Sequence, residues 1–214
     1  MDSNEIFKRF DSLKTGRGTW ESHWEEIAER VLPRSAEFTG ERTQGDKRTH
    51  KLYDATAALA LERFSAAVES LLTPRGATWH TLRSTNSELN RDDDVRLWFD
   101  KVQKTMFAHR YSPKANFAGQ THEGYMSLGA FGTGITFVDE APTRGAIYRA
   151  VHLADAFIAE NEHGQIDTVF RRFEVSARQA MRMFQDGDLS DDLRKTATDK
   201  PDEKVKLLHV VMPR

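Results

Sequence analysis

Apolar residues recur at helical spacing through the first 130 or so positions and at alternating spacing after that, and this change of period sets the expected architecture. Ile6, Phe7, Phe10 and Leu13 predict a first helix, broken at Gly16-Arg17-Gly18. Trp20, Trp24, Ile27, Ala28 and Val31 form the stripe of a second helix, with Thr19 as its candidate cap and Pro33 as its stop. Residues 33–51 are polar, carry Gly40 and Gly45 with the charges Glu41, Arg42, Asp46, Lys47, Arg48 and Lys51, and are expected to form a long loop. An alanine-rich helix follows over 53–72. Its large apolar stripe is Leu61, Phe64, Val68, Leu71 and Leu72, and Ala57, Ala58, Ala60, Ala66 and Ala67 are expected to widen the buried face. Pro74 and Gly76 end it. Trp79-His80-Thr81-Leu82 has the make-up of a short strand. Asp92-Asp93-Asp94 opens a helix to about 109, with Val95, Leu97, Trp98, Val102, Met106 and Phe107 as its apolar positions. Three acids at a helix start match the dipole there. Beyond Pro113 another helix, 114–129, carries Phe117, Tyr125, Met126 and Leu128.

From Phe131 the pattern alternates. Ile135–Val138 and Ala146–Val151 read as strands around a turn from Pro142 to Gly145. Ala156–Glu160 and Ile166–Phe173 flank Asn161-Glu162-His163-Gly164, a strong hairpin signal. Helix returns at Ser176–Phe184 and Ser190–Thr196, and Val205–Met212 is a last strand. An apolar strand at a terminus needs a partner. Either an earlier strand supplies it, or the partner lies outside this chain. The expected fold class is α+β: an N-terminal helical region, residues 1–130, followed by a mainly antiparallel sheet with helices, residues 131–214, incomplete at its C-terminus.

Composition narrows the function. The length, 214 residues, suits one large domain or two small ones, and 38% apolar with 30% charged residues suffices for a core under a well-solvated surface. A net charge of −2 and a pI near 6.5 do not point to a nucleic-acid binder overall, though they leave room for a local basic patch. There is no cysteine, hence no disulfide or thiolate metal site. The acidic start Met1-Asp2-Ser3-Asn4-Glu5 is not a signal peptide. No apolar run approaches the roughly 18 residues of a membrane span, so the chain is expected to be soluble, with no membrane partner.

Candidate chemistry is sparse. The histidines are His23, His50, His80, His109, His122, His152, His163 and His209, and no two share ligand spacing on one element. His122-Glu123 begins like a zincin motif, but Met126 stands where the second histidine belongs. Gly129-Ala130-Phe131-Gly132-Thr133-Gly134 follows a helix and precedes a strand, the reverse of a phosphate cradle, and reads as a helix end with a tight turn in which glycine supplies positive φ. Asp92-Asp93-Asp94 reads as a cap. Asp186, Asp188, Asp191 and Asp192 around Gly187 resemble half a calcium loop, but Ala197 takes the place of the bidentate glutamate. Arg171, Arg172, Arg178 and Arg182 are the basic candidates, with Arg178 and Arg182 on one helix face and a solvated face the plainer reading. Trp20, Trp24, Trp79 and Trp98 lie in apolar patterns that suit core or subunit packing better than base stacking. No catalytic, cofactor-binding or metal residue is assigned, and no cofactor is expected.

Several segments, in order, resemble the podovirus head-to-tail connector, or portal, proteins. These are Trp24-Glu25-Glu26-Ile27-Ala28-Glu29-Arg30-Val31-Leu32-Pro33-Arg34, Tyr53-Asp54-Ala55-Thr56 with its helix, Leu71-Leu72-Thr73-Pro74-Arg75-Gly76 with Trp79, and Leu128 to Gly134 with Val138-Asp139-Glu140. The last is Asp167 to Phe173 with Ala177-Arg178-Gln179-Ala180. The resemblance implies a non-enzymatic, wing-like N-terminal portion of a portal subunit, since family members run to about twice this length. It implies a homo-oligomeric ring, a dodecamer when full length, with terminase, capsid and tail proteins as partners and double-stranded DNA passing nonspecifically through the channel. Such a protein would sit in the virion at the head-tail junction, and in the host cytoplasm during assembly. Two other readings stay open: a stand-alone α+β adaptor protein, and an enzyme using His122 with Glu123.

Overall fold

The computed structural model describes residues 2–40, 45–140, 145–184 and 189–213. Among them are seven α-helices and two antiparallel sheets, one of two strands and one of three, which makes the fold α+β. Packing divides the chain otherwise than secondary-structure type does. Thr19–Leu153 form one compact unit, and Met1–Gly18 with Ala154–Arg214 form another.

The Thr19–Leu153 unit contains α2 (Gly18–Val31), α3 (Thr56–Leu72), α4 (Asp93–Arg110), α5 (Phe117–Phe131), β1 (Ile135–Glu140) and β2 (Ala146–Val151). Helix α2 begins at Gly18, so Thr19 lies inside it and does not cap it; the break from α1 (Ser3–Gly16) is the single residue Arg17. Leu32, Leu61 and Met126 form the buried core, with Val31, Ala130 and Phe131 packed against it. Strands β1 and β2 pair from Ile135 opposite Val151 to Glu140 opposite Ala146. Helix α5 is tied to β2 by the Ala150 N–H donating to Gln120 Oε1 at 2.6 Å. The turn expected from Pro142 falls mostly on residues outside the described ones.

Three expectations are corrected in this unit. Residues 33–51 are not a plain polar loop. Pro33–Ser35 form a 3-10 turn, and Ala36 and Phe38 are buried. The buried Glu25 carboxylate accepts the Phe38 N–H at 2.7 Å, and the Phe38 ring packs on Trp24, Phe131 and His152. Glu41 and Arg42 of this loop lie outside the described residues. Trp79–Leu82 is not a strand, and Trp79 and His80 instead join an aromatic cluster with Phe107. Helix α3 buries far less than its composition suggests. Only Leu61 and Ser65 are buried, while Phe64, Leu71 and Leu72 and the alanines Ala57, Ala60, Ala66 and Ala67 are exposed. The cause is that α3 has one substantial helical neighbour, α5, and one neighbour covers one narrow strip.

In the second unit α1 packs on β3 (Ala156–Glu160), which pairs with β4 (Ile166–Ser176), which pairs with β5 (Lys204–Val211). Phe10 of α1 meets Phe157 edge-on at 4.9 Å, and the Arg17 guanidinium lies 3.7 Å over the Phe157 ring while donating to the Ala154 carbonyl. The hairpin turns as its sequence requires: Asn161 Oδ1 accepts the N–H groups of His163 and Gln165, and Gly164 takes φ +72°. Ser176 and Gln179 form a capping box at the start of α6 (Ala177–Met183), and the Ser190 hydroxyl caps α7 (Asp191–Asp199). The terminal strand has its partner within the chain. Eight residue pairs join β5 to β4, from Val169 opposite Val211 to Ser176 opposite Lys204.

Candidate functional site

The exposed side of α3 is an apolar surface that packing within its unit leaves uncovered. Ala57, Ala60, Phe64, Ala67 and Leu71 are spaced three and four residues apart, which places them on one face, and all are exposed. Phe64 is 49% and Leu71 79% exposed, and Leu128 of α5 adds a further exposed leucine at 43%. A helix apolar on both its core and its outer face is ordinarily covered on both, and contiguous apolar surface marks a contact site. Spacing of this kind, with small residues alternating with large ones, suits close approach of another helix. At the N-terminal end of α3 the Asp54 carboxylate accepts from the Thr56 hydroxyl and N–H, which holds its pKa below the usual value.

A second feature is a groove of about 790 Å³ between α4 and β2. Trp98, Val102, Met106 and Tyr148 give it an apolar lining, and Lys101, His109 and Arg110 supply positive or titratable groups. Trp98 is 58% exposed. The Arg110 guanidinium stacks 4.8 Å from the Trp79 ring centre and donates toward His80 Nδ1 at 3.4 Å, leaving Nε2 of His80 to carry the ring proton, buried without a partner. Burial, and the Arg110 charge beside it, lower the His80 pKa from its ordinary 6.5. The unfolded chain therefore binds a proton on His80 at higher pH than the folded one does. This contribution to stability is full above about 6.5 and is lost as pH falls through the folded-state value. His80→Phe, which keeps the stack on Phe107, is expected to shrink the difference in urea midpoint between pH 7.5 and pH 5.5. An unchanged difference would show that His80 carries none of it.

The His122-Glu123 pair does not act as a unit. His122 of α5 sits between two carboxylates of α3, Nδ1 at 3.0 Å from Glu69 Oε2 and Nε2 at 3.1 Å from Glu62 Oε1, while Glu123 pairs with Arg34 at 2.8 Å. Sequence reading missed Glu62 and Glu69, although their seven-residue separation places both on one side of α3. The arrangement reads as a polar clamp between α3 and α5. Met126 is buried in the core.

The remaining candidates resolve into structure. Asp92 caps α4, accepting the N–H groups of Asp94 and Val95. Gly132 ends α5 at φ +76°, as the turn reading expects. Arg172 pairs with Asp155 through Nε and Nη2, Arg178 pairs with Asp202, and Arg171 stacks on Phe173. Trp24 and Trp79 pack in aromatic clusters, whereas Trp20 and Trp98 are exposed. Asp186, Gly187 and Asp188 lie outside the described residues, and Asp191 and Asp192 occupy the first turn of α7. Among the described residues no helix is long and apolar enough to cross a membrane.

The chain is 29% identical over 180 residues to the probable portal protein of Bordetella phage BPP-1, covering 84% of this chain and 32% of that protein. It is 27% identical over 184 residues to the portal protein of Salmonella phage epsilon15, covering 86% of this chain and 33% of that one. The chain thus spans about a third of the length of these curated relatives. Residues 3–214 match the family described as bacteriophage head to tail connecting protein, and the chain belongs to that family.

Proposed function

We propose that this chain is part of a portal subunit, with no catalytic role, whose working surfaces are contacts with other copies of itself. The observation that carries this reading is the exposed Ala57, Ala60, Phe64, Ala67 and Leu71 face of α3, which in the connector would be covered by a neighbouring subunit. Side-by-side repetition of one such contact generates a ring when the rotation closes. The family supports the finer reading: a ring, twelvefold when the subunit is full length, at the head-tail junction of the virion. It would be assembled in the host cytoplasm, contacted by terminase, capsid and tail proteins, and threaded nonspecifically by double-stranded DNA. No cofactor enters this reading. The two parts that secondary-structure content suggests, a helical 1–130 and an α+β 131–214, would both belong to the wing-like portion.

The test is sedimentation of the purified chain over a range of concentrations. Phe64→Glu with Leu71→Glu places two charges on the face and is expected to weaken self-association at least tenfold. The thermal midpoint should move little, because both side chains are exposed. Association that is unaffected by these charges would refute the α3 face as a contact.

A further inference from the structure

We propose that the groove between α4 and β2 receives the acidic N-terminal end of α4 from a second copy of this chain, making a head-to-tail contact between neighbours. The proposal rests on the self-association reading and goes beyond it by naming both halves of one interface.

Helix α4 is polarised. Its start carries Asp92, Asp93 and Asp94, all exposed, and Leu89, 46% exposed, precedes them in a 3-10 turn over Leu89–Arg91. From its middle to its end it carries Lys101, His109 and Arg110, all lining the groove, and among the described residues no carboxylate lines it. Among the described residues neither Lys101 nor Arg110 is held in an ion pair. Asp93 has only the exposed Arg96 three residues on, a pair that contributes little. A basic groove with an apolar lining thus matches a segment that presents one leucine beside two weakly engaged carboxylates. Exposed Leu97 lies on α4 between these two patches, beside Trp98 of the groove lining, where a neighbour's surface would cover it.

A duplex backbone matches this groove less well, because a phosphate strand offers nothing for Trp98, Val102 and Met106 to bury. The two patches are different surfaces of one chain. Their pairing is therefore heterologous: each copy keeps a free acidic end and a free groove, so copies add one after another.

Two variants separate the halves. Lys101→Glu with Thr105→Glu, both positions lining the groove, reverses its charge and leaves the acidic end intact. Leu89→Ser with Asp93→Asn and Asp94→Asn removes the acidic end, keeps the Asp92 cap and leaves the groove intact. Sedimentation is expected to show each variant alone associating at least tenfold more weakly than the natural chain. When both variants also carry Phe64→Glu with Leu71→Glu, so that the α3 face is silent, a one-to-one mixture is expected to form a species that stops at two chains, since only one working contact remains. Association of the natural chain should also weaken as salt rises. Unchanged circular dichroism at 222 nm would show that both variants keep their helices.

A mixture that stays monomeric overturns the proposal, as do variants that associate like the natural chain. If association persists in the charge variants but is lost in Phe64→Glu with Leu71→Glu, the α3 contact stands and the groove contact falls. A natural chain that stays monomeric at 100 µM, about the concentration at which a contact of 5–6 kcal/mol would show, removes both. Duplex DNA or another protein's acidic segment binding at Lys101, with self-association untouched, would assign the groove to that partner and overturn the proposal.

Discussion

Phe170→Ala is expected to destabilise the sheet unit by about 3–5 kcal/mol, the range for removing a fully buried phenyl ring. Phe170 is 0% exposed. It lies on β4, the middle strand, opposite Phe157 on β3 and Val210 on β5, so its backbone is held from both sides. The Phe10 ring of α1 stands 5.8 Å away and in turn meets Phe157. The lost ring would leave a void between a helix and the centre of a sheet, and a three-stranded sheet with one helix over it has little freedom to collapse onto that void. Urea unfolding followed by hydrogen exchange is the measurement. Protection should be lost over 156–160, 166–176 and 204–211 together. Phe64→Ala, which removes the same ring from a half-exposed position beside Gly129, should cost only about 1 kcal/mol. A loss below about 1 kcal/mol at position 170 would contradict this account of the core.

What the amino-acid pattern reveals here is what local rules decide. The hairpin at Asn161–Gly164 follows from one side chain able to accept two N–H groups and one glycine able to take positive φ, and both lie within five residues. The caps at Asp92, Ser176 and Ser190 are local in the same sense. Burial is not local. Helix α3 has enough apolar residues to be covered on most sides, but how many sides are covered depends on how many neighbours reach it, which its own residues do not state. Phe38 shows the converse. It stands among glycines and charges, and the distant partners Trp24, Glu25, Phe131 and His152 make it a core residue. The same division runs through the candidate surfaces. The three-and-four spacing of the α3 face and the polarity of α4 are written in the sequence, while their exposure, and the absence of carboxylates from the groove, emerge only once the chain is folded.

Gly134→Val is expected to destabilise the Thr19–Leu153 unit by about 2–3 kcal/mol, the upper part of the range for forcing extra carbon into a packed site. A Cβ on Gly134 would stand 2.5 Å from the Gly124 carbonyl oxygen and 3.3 Å from its carbon. The obstacle is backbone inside α5, which cannot turn aside as a side chain tip can. Either β1 moves off α5 or the helix bends. Gly129 faces a different obstacle, the Leu61 and Phe64 side chains of α3, 2.6 and 2.9 Å from a hypothetical Cβ. Those can shift, and alanine regains up to about 1 kcal/mol of helix propensity, so Gly129→Ala should cost less than Gly134→Val. Gly132 has open space but φ +76°, so substitution there strains the chain itself. The three glycines of one short motif thus serve three separate needs: close helix approach, a left-handed helix end, and a strand laid against a helix carbonyl. None of these three needs is chemical; each is a matter of backbone geometry. Thermal unfolding of the two single variants should rank Gly134→Val as more damaging than Gly129→Ala. The reverse order would show that β1 can leave α5 more cheaply than the backbone contact implies.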